Sequence, residues 1–334
     1  MQQPLVSIVL PFTNEKELLK EAVDSLIAQS FSDFELLLVD NSDDENTRSI
    51  ASAYSDERII RLNEPTRGIA FALNTGIRHA RGTYIARMDA DDIAHPRRLE
   101  FQLNYLEEHA QIGAVACRTG LFPATEDNEG FRLFVLWQNS LLSPADHYIN
   151  RFIESPVAHP SMMFRKKLIE QLGYYSTDEV PEDYELWLRW MDNQIPIAKL
   201  EDELLHWRDR EMRLSRTGSC YSEESFFEVK ARYLKSHLEK NNISENKEII
   251  VCGGSKNNRW KIEVLKKHGI IVNAVTDVVS RNTAPLPFIP AEKLHEKKDV
   301  FIINLISKRD VRESIRRFLQ SCGYTELEDF IMAG

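Results

Sequence analysis

The feature that most constrains this fold is a repeated alternation of short apolar runs and amphipathic segments. β-Branched, apolar runs predict buried parallel strands at residues 5–10, 34–39, 58–62 and 84–88. Residues 18–27 and 68–80, which lie between strands, carry apolar side chains at helical spacing. This order predicts a doubly wound α/β domain.

Polar residues follow three of these predicted strands, at residues 11–14, 40–44 and 89–92. Ligands of α/β sheets bind beyond the carboxyl ends of the strands. Because the ends of parallel strands meet at one edge of a sheet, we expect these polar residues to share a binding site.

Further along the chain, the pattern predicts helices at 96–109, 183–191 and 222–238, and a strand at 112–117. Residues 131–137 are rich in aromatic and branched side chains, which predicts an edge strand. Trp187 and Trp190 have near-helical spacing, which favours packing in a core over stacking on a sugar.

A second α/β unit is predicted after a polar break at 241–246. Residues 248–251, 270–275 and 300–305 have strand composition, and helical segments lie between them. The expected domains are therefore a catalytic domain at 1–220, a helix and linker at 221–245, and a smaller Rossmann-like domain at 246–334.

The turn Gly253-Gly254-Ser255, with Asp277 after the next strand, partly matches a dinucleotide-binding fingerprint. Asn257 and Asn258 stand where the third glycine of that fingerprint should be, which weakens the match. We therefore expect a module without cofactor that serves packing, self-association or acceptor recognition. Binding of a nicotinamide dinucleotide is the alternative.

Composition excludes several classes of protein. The net charge of −10 disfavours a protein that coats nucleic acid. The four cysteines are far apart, which favours neither a zinc site nor a disulfide framework. No apolar run reaches the ~20 residues of a membrane span, and the first residues lack a signal-peptide pattern. We expect a cytoplasmic protein; association with the inner face of the membrane and homo-oligomerisation are compatible with the sequence.

Asp89, Asp91 and Asp92 put three carboxylates on one short loop after a strand. Such carboxylates repel one another unless a cation or hydrogen-bond donors intervene. Hard oxygen ligands suit Mg²⁺ or Mn²⁺, which would bridge to a diphosphate and neutralise it as it leaves. The alternative is that these carboxylates cap the helix that begins near Pro96.

Taken in order, these segments closely resemble family 2 glycosyltransferases of the GT-A fold, over roughly residues 4–215. The resemblance lies in the runs 6–12, 68–76, 84–92, 159–161 and 182–189, and in the acidic turn at Asp40. Each run alone is weak, whereas the ordered set is specific. It implies a Rossmann-like mixed sheet that binds a nucleotide-diphospho-sugar, with UDP as the favoured nucleotide.

The resemblance also implies roles for individual residues. Asp40 would contact the nucleotide base, and Pro11, Thr13 and Arg67 would line the nucleotide cleft. Asp89 and Asp91 would bind the metal and the sugar diphosphate, with Asp91 the direct ligand. One departure is that Asp40-Asn41-Ser42 is one residue shorter than the family's usual pair of aspartates, so either Asp40 or Asn41 meets the base.

Family 2 enzymes invert the anomeric centre, and the resemblance implies that Asp183 is the catalytic base that would accept the proton of an acceptor hydroxyl. Glu182, His159 and Arg208 are further candidates for contact with donor or acceptor. Of the arginines at 208, 210, 213 and 216, one or two are expected to grip the diphosphate, and the rest to be solvated.

The resemblance thus implies a transferase that builds a surface polysaccharide, a glycolipid or another glycan. A glycan or a lipid-linked sugar would be the acceptor.

Two other functions share parts of this pattern. A sugar nucleotidyltransferase also joins paired aspartates to a metal, but it normally has a glycine-rich basic loop after the first strand, which is absent at 11–15. The second alternative function is that of a non-catalytic module that binds nucleotide-sugars. The presence of Asp89, Asp91 and Asp183 argues against this alternative.

Overall fold

The computed structural model describes residues 3–14, 16–42, 45–122, 128–210, 213–277 and 286–334. The chain forms two compact units. Unit 1 comprises Met1–His147 and Pro156–Ser219, and unit 2 comprises Tyr148–Ser155 and Cys220–Gly334. Among the described residues, no helix combines the length and the apolar character needed to cross a membrane.

Unit 1 is built on an eight-stranded mixed sheet with the order β3-β2-β1-β4-β7-β6-β8-β5. Its strands are β1 (Val6–Phe12), β2 (Phe34–Asp40), β3 (Ile59–Asn63), β4 (Tyr84–Arg87), β5 (Ile93–Ala94), β6 (Ala114–Phe122), β7 (Met163–Arg165) and β8 (Ile197–Arg208). Strands β3, β2, β1 and β4 are parallel. Strand β7 lies antiparallel between β4 and β6. The predicted mixed α/β architecture is confirmed.

Helices cover this sheet because their apolar stripes need a partner surface. The α-helices described between residues 16 and 217 are α1 (Lys16–Ile27), α2 (Glu45–Ser52), α3 (Ile69–His79), α4 (Arg98–Glu108), α5 (Glu129–Ser140), α6 (Pro144–Asn150), α7 (Lys167–Leu172), α8 (Glu182–Asp192) and α9 (Leu214–Thr217). Strands β1 and β2 are buried along their whole length. Trp187 and Trp190 of α8 are fully buried, which confirms their predicted place in the core.

The predicted edge strand at 131–137 is wrong, because these residues lie in α5. Val135 and Gln138 are its buried residues, at helical spacing. Phe131 packs edge-on against Trp207 of β8, with 5.1 Å between ring centroids. Packing of this face against β8 thus outweighs the strand preference of the aromatic residues.

Unit 2 contains a five-stranded parallel sheet with the order β11-β10-β9-β12-β13. Its strands are β9 (Glu248–Cys252), β10 (Val272–Asp277), β11 (Phe288–Pro290), β12 (Val300–Asn304) and β13 (Phe330–Met332), and its helices are α10 (Glu223–Lys240), α11 (Ile243–Asn246), α12 (Arg259–Lys267) and α13 (Arg309–Ser321). The second α/β sheet is therefore present as predicted. Residues 241–246, predicted as a linker, contain α11.

The glycine turn after β9 is shaped by internal packing. Gly253 has φ +96°, and a Cβ atom there would lie 2.7 Å from Ile306. A Cβ atom on Gly254 would lie 2.9 Å from Val275. The Asn258 side chain donates a hydrogen bond to the Gly253 carbonyl at 2.9 Å. Neighbouring protein atoms thus leave no room for a side chain at either glycine.

Candidate active site

The candidate site begins at the carboxyl ends of β1, β2 and β4. Phe12 lies opposite Asp40 in the β1–β2 register, and Val9 lies opposite Arg87 in the β1–β4 register. Because these strands are parallel, their ends open to the same edge of the sheet. Asp40 ends β2 and Asp89 follows β4 closely, so the sheet directs both sequence motifs to this edge.

The carboxylates of Asp89, Asp91 and Asp92 form a compact acidic cluster. One oxygen from each lies within 4.8 Å of the other two. Asp92 is completely buried, and its Oδ1 accepts a hydrogen bond from the Arg208 amide at 2.8 Å. Its Oδ2 is buried without a hydrogen-bond partner among the described residues. Burial, and then the negative charges of Asp89 and Asp91, raise the pKa of Asp92 well above its usual value.

This donor set fits a divalent cation. Three carboxylates supply the hard oxygen ligands that Mg²⁺ and Mn²⁺ prefer. A cation beside them would satisfy the orphaned Asp92 oxygen and remove the repulsion among the three charges. Asp92 was not singled out as a ligand from the sequence, since its complete burial depends on contacts distant in the chain.

Arg87, the last residue of β4, forms an ion pair with Asp89. The Arg87 side chain is 2% exposed, and its Nε has no hydrogen-bond partner within the ranges that the structure describes. The Arg87–Asp89 ion pair is therefore an internal one on the side of the guanidinium. A buried, permanently charged guanidinium at this position acts on every acidic group around it.

The candidate base, Asp183, lies in the first turn of α8. Its Oδ1 accepts a hydrogen bond from the Tyr184 amide at 2.7 Å. Burial raises the pKa of Asp183 to about 6, against the opposing effects of that hydrogen bond and of Arg87, while Asp89 adds to the increase. A carboxylate with a pKa in this range is well matched to accept a proton near neutral pH.

His159 and Glu182 form a buried layer near the base. The His159 Nε2 lies 2.8 Å from the Tyr175 hydroxyl, and its Nδ1 lies 3.6 Å from a Glu182 carboxylate oxygen. Burial, followed by the charge of Arg87, lowers the pKa of His159 well below its usual value. His159 is therefore neutral at physiological pH, and its contacts are those of a side chain that supports the site.

The arginines at the end of β8 are arranged around the acidic residues. Arg208 donates from Nε to the Asp91 carbonyl at 2.7 Å, and Arg210 donates from Nε to the Asp91 carboxylate at 2.7 Å. Arg216 pairs with Asp209 at 2.8 Å. The Arg213 guanidinium stacks over the Trp207 ring at 4.4 Å.

Two of these four arginines depart from the expected solvation. The side chains of Arg208 and Arg213 are only 13% and 12% exposed, whereas those of Arg210 and Arg216 are 31% and 36% exposed. Arg208 contacts Asp91 and Asp92, and Arg213 also stacks over Phe131; these partners are distant in the sequence, so spacing along the chain could not predict the contacts.

The turn after β2 distinguishes Asp40 from Asn41. The Asp40 carboxylate accepts hydrogen bonds from Ser42 and Arg48. The Asn41 amide donates to the carbonyls of Glu64 and Thr66 and accepts from the Gly68 amide. Asn41 thus fastens the loop that precedes α3.

The pKa of Asp40 is lowered, because these hydrogen bonds outweigh an opposing effect of burial. Of the other predicted cleft residues, Pro11 is buried in β1, Thr13 is partly exposed, and the exposed Arg67 donates to the Asn41 carbonyl. Arg48 was not among the residues predicted from the sequence.

Comparison with known proteins identifies the family. The model of glycosyl transferase family 2 matches residues 7–173. The chain is 33% identical to the uncharacterized glycosyltransferase MJ1057 of Methanocaldococcus jannaschii, over 65% of this chain and 75% of that protein. It is 31% identical to the putative glycosyltransferase EpsE of Bacillus subtilis, over 66% and 78%. It is 26% identical to the O-antigen biosynthesis glycosyltransferase WbnJ of Escherichia coli, over 72% and 91%.

The fold agrees with this match. The crystal structure of residues 1–349 of S. aureus TarS, in complex with UDP-GlcNAc, superposes with a TM-score of 0.56. The superposition covers 79% of this chain and 80% of that chain at 15% identity, so it bears on the fold alone. The large mixed sheet of unit 1 is accordingly that of a GT-A enzyme. The chain belongs to glycosyltransferase family 2, and it is a glycosyltransferase.

Proposed function

We propose that this enzyme is a metal-dependent, inverting glycosyltransferase that transfers a sugar from a UDP-sugar to a hydroxyl of a glycan or lipid-linked acceptor. The observation that carries the proposal is the set of charges around Arg87. This buried cation pairs with Asp89 of the acidic cluster; it also opposes the increase in the pKa of Asp183 that burial causes and to which Asp89 adds. A candidate site for the diphosphate and a candidate base are thus electrostatically coupled.

A Mg²⁺ or Mn²⁺ ion held by Asp89, Asp91 and Asp92 would supply Lewis-acid stabilisation of the leaving diphosphate. The protein groups would do the rest. The Asp183 carboxylate accepts the proton of the acceptor hydroxyl as that oxygen forms a bond to C1 of the donor sugar. The bond from C1 to the phosphate oxygen breaks on the opposite face, and the electron pair leaves with the nucleoside diphosphate. Attack opposite the leaving group inverts C1.

For the nucleotide, we assign the base contact to Asp40, because the Asn41 amide is committed to the loop before α3. Pro11, Thr13 and Arg67 complete the proposed cleft. UDP is the favoured nucleotide, as the resemblance of the sequence to family 2 implies. The name of WbnJ, O-antigen biosynthesis glycosyltransferase, supports a role for this enzyme in surface polysaccharide assembly.

For unit 2, we propose a role in packing, self-association or acceptor recognition without a dinucleotide. Support comes from the turn after β9, where both glycines are required by contacts with Ile306 and Val275. The third glycine of a dinucleotide-binding turn, which allows close packing of helix and strand, is also missing, since Asn257 and Asn258 stand in its place. Cytoplasmic location and contact with a membrane surface remain proposals from the sequence.

The first test is a thermal-shift panel of UDP, GDP, CDP, dTDP and NAD, each with and without Mn²⁺. A ligand at ~100 times its dissociation constant should stabilise the protein by ~2.7 kcal/mol. We expect a Mn²⁺-dependent shift with UDP that is lost in Asp91→Asn and retained in Asp202→Asn, a change at an exposed aspartate of β8. The proposal would be refuted if NAD were the only compound to raise the melting temperature, or if none of the compounds raised it.

A further inference from the structure

Arg210 and Asp91 form a close, two-point ion pair at the acidic cluster. Both Nε and Nη2 of Arg210 lie 2.7 Å from Oδ2 of Asp91. The Arg210 side chain is 31% exposed and that of Asp91 is 15% exposed, so the pair lies at the solvent side of the cluster. The guanidinium therefore uses an oxygen of the carboxylate that is expected to bind the metal directly.

A divalent cation and this guanidinium compete for Asp91. Two N–H groups directed at Oδ2 take up the lone-pair directions that a metal would need at that oxygen. Two like charges against one carboxylate also repel each other. Arg208 does not compete in this way, since its contact with Asp91 is to the backbone carbonyl.

The charges of the whole cluster favour an exchange over a simple loss of Arg210. Asp89 pairs with Arg87 and Asp91 with Arg210, whereas Asp92 accepts only the Arg208 amide among the described residues. A divalent ion alone would add two positive charges to a cluster in which two of the three carboxylates already have a guanidinium partner. A divalent ion together with a nucleoside diphosphate adds almost no net charge, and the diphosphate offers oxygens that match a guanidinium fork.

We propose that Arg210 exchanges partners: it neutralises Asp91 in the metal-free enzyme and binds the diphosphate of the donor when a metal occupies Asp91. This inference rests on the metal-dependent function proposed above. In the absence of nucleotide, Arg210 then weakens metal binding by competing for Asp91. In the presence of nucleotide, Arg210 binds the donor. Metal and nucleotide must then bind cooperatively, each increasing the affinity for the other by the same factor.

The test measures two dissociation constants in the full-length protein. The first is that of Mn²⁺ alone, from the electron paramagnetic resonance signal of free Mn²⁺. The second is that of UDP at saturating Mn²⁺, from calorimetry. In Arg210→Gln we expect the first constant to fall about 10-fold and the second to rise about 10-fold, each equivalent to about 1.4 kcal/mol.

Two further variants separate charge from geometry. Arg210→Lys keeps a cation near Asp91 without the fork, so Mn²⁺ alone should bind almost as in the wild type whereas UDP should bind more weakly. Arg132→Gln removes an arginine that forms a similar two-point pair with Glu129 on the exposed face of α5, and should change neither constant.

The outcomes distinguish the exchange from the underlying function. Opposite changes of the two constants in Arg210→Gln support the exchange. An unchanged or weaker affinity for Mn²⁺ alone means that the pair only holds Asp91 in place, and overturns it. If Mn²⁺ fails to bind the wild type even with UDP, the metal-dependent function itself is refuted, whatever Arg210 does.

Discussion

Arg87 and Asp89 form an ion pair in which the guanidinium is buried and the carboxylate is 28% exposed. The cation is thus fixed inside the protein, while its partner reaches the acidic cluster. Burial raises the pKa of Asp183 and lowers that of His159; the same guanidinium opposes the first change and adds to the second. One buried charge therefore influences the candidate metal ligands, the candidate base and the histidine layer near it.

Replacing the Arg87 cation should change the pKa of Asp183 and also lower the stability of the folded protein. In Arg87→Met, loss of the positive charge should raise the pKa of Asp183 and move the acid limb of kcat/KM to higher pH. Loss of the buried pair should also lower the free energy of unfolding by on the order of 2 kcal/mol. A pH–rate profile and chemical denaturation would measure the two effects.

Arg87→Lys is the control. Because it keeps the positive charge, the acid limb of its kcat/KM profile should lie close to the pH of the wild type. If the limb is in the same position in Arg87→Met as in the wild type, Arg87 does not act on the base.

Asp183→Asn should abolish transfer but leave UDP affinity nearly unchanged, because the residue acts on the acceptor. General-base catalysis accounts for a loss of ~10²–10⁴-fold. In the wild type, the base works only when ionised, so kcat/KM should rise as pH increases through about 6 and level off above it. Steady-state kinetics from pH 5 to 8 would show this, with Asp178→Asn at an exposed position as the control. Near-normal turnover of Asp183→Asn would disprove the assignment.

Asp183 should also make the stability of the protein depend on pH. Its contribution to stability should fall as pH rises through about 6, whereas kcat/KM should increase. The pKa of Asp183 is higher in the folded protein than its usual value, so the folded state favours the protonated carboxyl. This contribution is fully present below the unfolded pKa and is lost as pH rises through about 6. Relative to the wild type, Asp183→Asn should therefore gain stability between pH 4 and 8. Thermal unfolding across that range measures the difference, and an identical pH dependence of both proteins would contradict the pKa assignment.

Substitutions of Asp40 and Asn41 should have different effects, one on nucleotide affinity and the other on the stability of the fold. If Asp40 meets the base, Asp40→Ala should weaken UDP binding about 10-fold or more, since a hydrogen bond to a charged group contributes about 1.5–3 kcal/mol. Asn41→Ala should instead lower stability by about 1 kcal/mol or more, because it loses contacts to Glu64, Thr66 and Gly68. Calorimetry and thermal unfolding of both variants distinguish the roles, and an exchange of the two phenotypes would reassign the base contact to Asn41.

The sequence predicted the parts of the site that short-range patterns determine. Apolar runs that end in polar residues located β1, β2 and β4, and with them Asp40 and Asp89 at one edge of the sheet. The prediction failed at α5, because a short aromatic run is compatible with a strand or a helix until its packing partner is known. Here that partner is Trp207, on a strand distant in the sequence.

Charged residues show the same limit. Nothing in the spacing of the arginines from 208 to 216 indicates that Arg210 reaches Asp91 or that Arg213 stacks on Phe131. Asp92 differs from Asp89 and Asp91 in its complete burial. Such differences arise from long-range contacts, so the residue types were predictable whereas their pairing was not.

The insertion of β7 between β4 and β6 has a consequence for how activity is acquired. Asp89 precedes the segment that contains β6 and β7, whereas Asp183 follows it. The two carboxylates can meet only after strands distant in sequence have paired, and such long-range pairing is slow compared with helix formation. During refolding we therefore expect helical structure to return well before catalytic competence, which makes turnover a reporter of completed topology.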